Sequence, residues 1–380
     1  MPCAGLEQVN EGGSLKHLLI ATVLIACWTV PAPAAKIRIS HVRSYPATFD
    51  PATGQGTHIS FRLSAPARVS VRIYDARNML VRNLLKQEHR KAGDHNVRWD
   101  GKDNAGSAVP PNYYVYTIQA ATGQGNEVIH DLTDITGGTL LNIKAAEYDA
   151  AARKISYVLP DHALVNIRVG LPQGGPLLTT VIDWVPRRGG LNQEIWNGWD
   201  VSGSVNIAGM KNVQIGVSAY ALPRNSFIVF DENAGQRPKY IQDITRENTK
   251  RTKKSKNRKE MYNHWQHSRD KCYDPAIKLS LPQELSRNAA GLPVISGSVP
   301  IRMEIVEKDR KYMLDQRFEV VYYVDFIFVR EEELGYTPFT WVWNPVGVNK
   351  GVHYLTVMLR GYEGHFGTAT QKVFVKVSAK

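Results

Sequence analysis

The sequence predicts an all-β protein built of tandem β-sandwich domains. Three observations carry that expectation. Short alternating runs are rich in Val, Ile and Tyr; 30 Gly and 20 Pro punctuate them; and an internal repeat recurs with a period near one hundred residues. A length of 380 residues suits two or three domains. With 43% hydrophobic and 22% charged residues, the composition is globular rather than disordered.

Taken in order, the first element is an export signal over residues 1–35. Leu18–Val30 reads LLIATVLIACWTV, thirteen residues without a charge, and is followed by Pro31-Ala32-Pro33-Ala34-Ala35. An apolar core of that length closed by small residues reads as a secretory signal cut before Ala35. Glu7 and Glu11 outweigh Lys16 ahead of it, the reverse of the usual charge bias. Leu24-Ile25-Ala26-Cys27 resembles the bacterial lipobox, which implies acylation at Cys27. An uncleaved anchor is disfavoured because Pro31 and Pro33 end the helix early. Each reading places the mature chain outside the cytoplasm, in the periplasm, at the outer membrane or secreted. Neither cleaved form retains a transmembrane span. Of the three cysteines, Cys3 and Cys27 lie in this segment, so Cys272 alone cannot staple the fold by a disulfide.

The repeat places the next strands. Ile59-Ser60-Phe61-Arg62-Leu63 recurs as Ile155-Ser156-Tyr157-Val158-Leu159, and Ala67–Ile73 recurs as Ala163–Val169. Both runs alternate apolar positions, as half-buried strands do. The motif W-[DN]-G-x-D-x-x-G then appears twice, as Trp99, Asp100, Gly101, Asp103 and Gly106 and as Trp196, Asn197, Gly198, Asp200 and Gly203. Its chemistry is that of a turn between strands: a large ring to bury, glycines for positive φ and carboxylates to satisfy loop amides. Alternation resumes in Tyr114–Ile118 and Val213–Val217.

On these residues, together with Val81–Leu84, Ala92–His95 and Tyr113–Ala120, the chain resembles the Ig-like domain of FlgD, the flagellar hook-assembly family. The resemblance implies Ig/fibronectin-III-like sandwiches and a binding or spacer role. Pro111-Asn112-Tyr113 departs from the family's Gly before Tyr, and the second copy has Gly189-Gly190 where the first has Ala92-Gly93. The hook-binding part of FlgD has no counterpart here. The resulting domains are 36–125 and 126–225.

Residues 226–277 are expected to be a basic linker or insertion. Between Arg246 and Lys271, ten Lys/Arg face three Asp/Glu, over half of the chain's net +12. Such a segment is too charged to bury and is solvated. Within it, Lys253, Lys254, Arg258 and Trp265 are candidate binding residues for an acidic partner, an anionic glycan or a headgroup. From Lys278 strands resume through Val299–Ile305, Val320–Phe326, Gly351–Leu359 and Lys372–Val377. Thr340-Trp341-Val342-Trp343-Asn344 followed by Gly351–Val357 resembles bacterial Ig-like domains, so 278–380 is expected to be a third sandwich. Arg38 and Arg72 are expected to guard edge strands. His353 and His365 are expected on strand or turn surfaces.

The sequence carries little chemistry. G-x-S-x-G, H-E-x-x-H and G-x-x-x-x-G-K-[ST] are absent, and Glu331-Glu332-Glu333 reads as a loop. Asp94, Asp100, Asp103 and Asn104 read better as turn stabilisers than as calcium ligands, and the spacing of His264, His267 and Cys272 is loose for a metal. No catalytic residue, cofactor, metal or nucleic acid is expected. The expected role is non-enzymatic: a structural or adaptor module of the envelope or surface with a protein partner. The alternative is a carbohydrate- or wall-binding module using Trp199, Trp265 or Trp341, and an unrecognised enzyme ranks last.

Overall fold

The computed structural model describes residues 36–123, 125–132, 137–230, 274–362 and 364–376. The described chain is β throughout apart from one α-helix and two short 3-10 turns.

The first sandwich comprises β1 (Ile39–Tyr45), β2 (Thr48–Phe49), β3 (Thr57–Leu63), β4 (Ala67–Tyr74), β5 (Leu80–Arg90), β6 (Gly93–Trp99), β7 (Asn112–Ala121) and β8 (Glu127–His130). One sheet has the order β1-β3-β6, and the other contains β7-β4-β5 with β8 on the outer side of β7. Period-two alternation selects the core: Ile59, Phe61 and Leu63 point in while His58 and Arg62 point out. Trp99 is fully buried between the sheets, with Phe61, Val69, Val71, Ile73 and Tyr116 around it. Arg72 does not guard an edge, contrary to expectation. β4 lies between β5 and β7, and Arg72 instead donates to Gln119 Oε1 at 2.7 Å on the adjacent strand.

The second sandwich repeats this plan with β9 (Glu147–Asp149), β10 (Lys154–Leu159), β11 (Ala163–Gly170), β12 (Leu177–Arg187), β13 (Gly190–Ile195) and β14 (Gln214–Ala221). Its sheets run β13-β10-β9 and β12-β11-β14. Thus β10, β11, β12, β13 and β14 occupy the places of β3, β4, β5, β6 and β7. One core position departs from the first copy. Glu194 is buried where the first copy has Val97, and it is held by Arg187 at 2.6 Å and by the Tyr157 hydroxyl at 2.9 Å.

From the second sandwich the chain returns to the first. β15 (Ser226–Val229) pairs antiparallel with Asn112–Val115 of β7 and parallel with β2. β8 pairs with the other half of β7, Ile118–Ala121. One edge of β7 is therefore shared by two strands that leave for, and come back from, the second sandwich. Residues 226–229 were expected in the linker; their side chains are all buried, and Phe227 stacks on Tyr116 at 5.8 Å and packs against Trp99 at 5.0 Å.

The third sandwich holds β16 (Ile277–Ser280), β17 (Val294–Ile295), β18 (Val299–Ile305), α1 (Glu307–Leu314), β19 (Phe318–Val324), β20 (Ile327–Glu332), β21 (Phe339–Trp343), β22 (Gly351–Gly361) and β23 (Phe366–Val375). Its sheets run β16-β18-β21 and β17-β23-β22-β19-β20. Two expectations are corrected here. Glu331 and Glu332 lie in β20, registered against Val321 and Val320, because that stretch completes a ladder with β19. His365 is fully buried and packs edge-on to Tyr312 at 5.5 Å, since the β22–β23 turn folds under α1. The helix had no counterpart in the sequence reading. Glu307 and Asp309 in its first turn suit the helix dipole, and Asp309 accepts the Ala276 amide at 2.8 Å.

Candidate functional site

The two Trp loops are built by the same bonds. In the first, Trp99 Nε1 donates to the Lys102 carbonyl at 2.9 Å, and Asp100 Oδ1 accepts the Lys102 amide at 3.2 Å. Asp103 Oδ1 accepts the amides of Ala105 and Ser107, both at 2.9 Å. In the second, Trp196 Nε1 donates to the Trp199 carbonyl at 3.0 Å, and Asn197 Oδ1 accepts the Trp199 amide at 3.1 Å. Asp200 accepts from the Val205 amide at 2.7 Å and from the Ser202 amide and hydroxyl. Gly101, Gly106, Gly198 and Gly203 all have positive φ. A Cβ at Gly101 would stand 2.4 Å from Pro51 Cγ, so that position also needs glycine for space. The carboxylates are occupied by loop amides. Among the described residues no group of three or more His, Cys, Asp or Glu is placed to hold a metal.

Lys253, Lys254, Arg258, Trp265 and Cys27 lie outside the described residues. Trp199 is 38% exposed, whereas Trp341 is half-buried and packs against Tyr322 at 5.0 Å with the rings tilted. The His353 ring is bonded to Asp325 at 2.6 Å. An open depression of about 740 Å³ on the first sandwich is lined by Arg38, Ser40, Arg62, Ser64, Gly93 and Val128. Its exposed Arg62 guanidinium faces Asp94 at 3.5 Å, and the Ser40 hydroxyl lies 3.3 Å from Nδ1 of the adjacent His41 in an exposed contact between chain neighbours.

The densest polar constellation is at the junction of the second and third sandwiches, and sequence reasoning did not find it. Arg168 of β11 donates through Nε to Asp274 Oδ2 at 3.1 Å and through a terminal nitrogen to Oδ1 at 2.5 Å. The same nitrogen reaches the Gly364 carbonyl at 2.8 Å, and the guanidinium lies 4.5 Å over the Phe366 ring. Asp274 also accepts from the Thr180 hydroxyl and from the Phe366 amide at 3.0 Å. Asp183 of β12 accepts the Asp274 amide at 2.9 Å and Asn166 Nδ2 at 3.1 Å. Withdrawal from solvent, reinforced by the neighbouring Asp274 charge, raises the Asp183 carboxyl to about 7. Apolar contacts flank this cluster. Phe326 and Tyr354 pack on the second core, and Leu177 joins Val321, Tyr323 and Met358. Between the first two sandwiches, Tyr113, Val115, Leu164, Leu222 and Ile228 form a further buried cluster. Asn225 is fully buried there, bonding Tyr116 through its side chain at 2.7 Å.

Comparison with known proteins places this architecture in context. The family model of the FlgD Ig-like domain matches residues 47–124, the first sandwich. Among solved structures, the Clostridium thermocellum CbhA fibronectin(III)-like modules are 10% identical, with 90% of this chain and 94% of that chain covered and a TM-score of 0.19. A tetra-tandem repeat from the extending region of a large adhesion protein is 15% identical, covering 89% and 74% at a TM-score of 0.17. A 1.5-MDa bacterial ice-binding adhesin structure is 9% identical, covering 90% and 99% at 0.18. At such scores these likenesses bear on nothing about function. No curated protein matches the chain.

Proposed function

We propose that this chain is an exported, non-catalytic structural or adaptor protein of the cell envelope or surface that acts through its Ig-like sandwiches. The observation that carries this reading is that the domains are joined by buried contacts rather than by free tethers. β15 ties the second sandwich back into the sheet of the first, and the Arg168–Asp274 clasp ties the third to the second. Junctions of this kind hold the loop ends and strand edges of successive sandwiches at fixed separations, which an assembly scaffold needs. The FlgD Ig-like match supports the module type, and a fold of this class leaves its role to be decided by its surfaces.

The apolar Leu18–Val30 run supports export, with release before Ala35 or acylation at Cys27 as its two outcomes. The basic stretch containing Lys253, Lys254 and Arg258, with Trp265 beside it, is the proposed contact for an acidic partner. The test is a crosslinked pull-down of the chain from fractionated host cells. A stoichiometric protein partner in the envelope fraction, crosslinked through the 246–271 segment, is the expected result. Recovery of the chain in the cytosol would refute the export reading. Recovery of wall polysaccharide without protein would replace the adaptor by the glycan-binding alternative, with Trp199 the first residue to substitute.

A further inference from the structure

The two related sandwiches differ most in charge. Residues 36–130, which hold the first, carry thirteen Lys/Arg against seven Asp/Glu, whereas residues 131–225 carry eight of each. Part of the excess is gathered on one face. In the sheet β1-β3-β6, alternation turns Ile59, Phe61 and Leu63 to the core and leaves Arg43, Tyr45, His58, Arg62 and Arg98 outward. Arg38, just ahead of β1, extends the row and is bonded through its amide to Ser64 Oγ at 2.9 Å. All six are exposed, Tyr45 by 80%. Among the described outward positions of the three strands Asp94 is the only carboxylate, and it meets Arg62 at 3.5 Å.

The second copy shows that the fold does not require these charges. Arg43 lies opposite Ser60, and at the matching place Glu147 lies opposite Ser156. Asp149, opposite Lys154, stands where Tyr45 faces His58, and Val158 stands where the first copy has Arg62. Guarding of a strand edge accounts for arginine on β1, which ends its sheet. It does not account for Arg62, because β3 is the central strand.

We propose that the outward face of β1-β3-β6 docks on an anionic phospholipid surface, with its arginines against the headgroup phosphates. The guanidinium fork matches phosphate oxygens, and the open depression lined by Arg38, Ser40, Arg62 and Ser64 brings two such forks and two hydroxyls to one end of the face. Tyr45 at the other end supplies the amphipathic ring that suits the headgroup layer. A three-stranded sheet face lies against a plane of charges over its whole width, whereas it cannot enclose a single polymer chain. Chain order agrees with this occupant. Cys27 is eleven residues ahead of Arg38, at most about 40 Å of extended chain. One acyl chain alone holds a protein to a bilayer only marginally, and a basic patch completes the attachment. That last point rests on the acylated outcome of the export reading. The face itself does not, and it is tested without the acyl group, so cytosolic recovery of the chain would refute export and leave the vesicle result standing.

The test is co-sedimentation of the full, unacylated chain with vesicles in about 0.1 M salt, where charges more than about 10 Å from the surface are largely screened. One set is phosphatidylcholine, the other phosphatidylcholine with an equal part of phosphatidylglycerol. The apolar Leu18–Val30 run meets both alike, so the preference for the anionic set reports charge. The parent should prefer the anionic vesicles. Arg43→Glu with Arg62→Val introduces residue types that the second copy already carries at those places. At roughly fivefold per arginine, it should lower anionic binding at least about tenfold and leave neutral binding unchanged. Arg68→Glu with Lys86→Gln makes the same change of charge on the exposed side of the other sheet, about 10 Å further away, and should cost less than about threefold. Equal binding of the parent to both vesicle sets overturns the proposal, and so does an equal loss in the two double variants, which would make the attraction one of net charge. A parent that binds polygalacturonate more tightly than the anionic vesicles, and loses that binding with Arg43→Glu and Arg62→Val, overturns it in favour of an acidic glycan. Should that double variant fail to fold, Arg38→Gln with Arg43→Gln decides by the same measure.

Discussion

Asp183 and Asp274 bring two carboxyl groups to one domain junction that holds one arginine. Asp274 takes the better share: it accepts both arms of Arg168, the Thr180 hydroxyl and the Phe366 amide. Asp183 accepts from an amide and from Asn166, with the Arg168 charge helping it only at a distance. Its carboxyl is therefore lifted from 3.8 to about 7, so the folded chain holds a proton that the unfolded chain gives up. Protons bound in excess by the native state make stability fall as pH rises. This site's contribution is intact below about pH 4, declines between about 4 and 7, and is constant above. At 1.36 kcal/mol per unit the shift has a ceiling of about 4 kcal/mol, and Asp183 keeps partial solvent contact, so we expect about 2 kcal/mol. Asp183→Asn mimics the protonated form once Asn166 turns its amide. Urea titrations at pH 4, pH 5 and pH 8 should show the variant gaining about that amount over the parent at pH 8, less than half of it at pH 5 and little at pH 4. None of this was legible in the sequence. The two aspartates are far apart in the chain, and Asp274 follows a basic stretch where a carboxylate reads as one more surface charge.

Elements were legible in proportion to their alternation. β3 and β10 bury one face and leave the other more open, and β4 and β11 keep one apolar face although their other face is also largely buried, so period-two patterning found them, and the Trp loops were readable because turn chemistry is local. β15 was not. Ser226-Phe227-Ile228-Val229 is buried on every side, and a three-residue apolar run without alternation does not reveal which sheet it joins. Its partner was equally hidden, because β7 shares one edge between β8 and β15 and that pairing is set by where the second sandwich ends. The structural consequence is that the first sandwich is completed from beyond the second. Phe227 fills the space between Phe49, Trp99 and Tyr116, with no exposed surface. Phe227→Ala should cost about 3–5 kcal/mol, the price of an emptied aromatic site. The loss should appear in the first sandwich. Hydrogen exchange is expected to rise in β2 and β7, both more than a hundred residues earlier in the chain, while β10 and β11 remain protected. Protection unchanged in β2 and β7 would show that the strand merely rests on the sheet.

At the scale of the molecule the question is whether the sandwiches unfold together or singly, and the second junction answers it through Arg168. The guanidinium is the sole cation bonded to Asp274 among the described residues, it caps the Gly364 carbonyl, and it lies on the Phe366 ring. Arg168→Met keeps the packing of the stem and removes the charge. Asp274 then keeps the Thr180 and Phe366 donors but loses its counter-ion, with Asp183 still beside it. Breaking one side of a buried ion pair costs about 3–5 kcal/mol, because the remaining charge stays desolvated. That penalty falls on the contact between domains rather than on either core, whose buried clusters are separate. In calorimetry the parent should show coupled unfolding of the second and third sandwiches, and Arg168→Met should split that transition. The split should widen from pH 5 to pH 8, since Asp183 ionises across that interval and repels Asp274 with no arginine between them. A variant whose two sandwiches still melt together at pH 8 would mean that the apolar contacts of Leu177, Phe326 and Tyr354 hold the junction by themselves, and that the polar clasp orients the domains without fastening them.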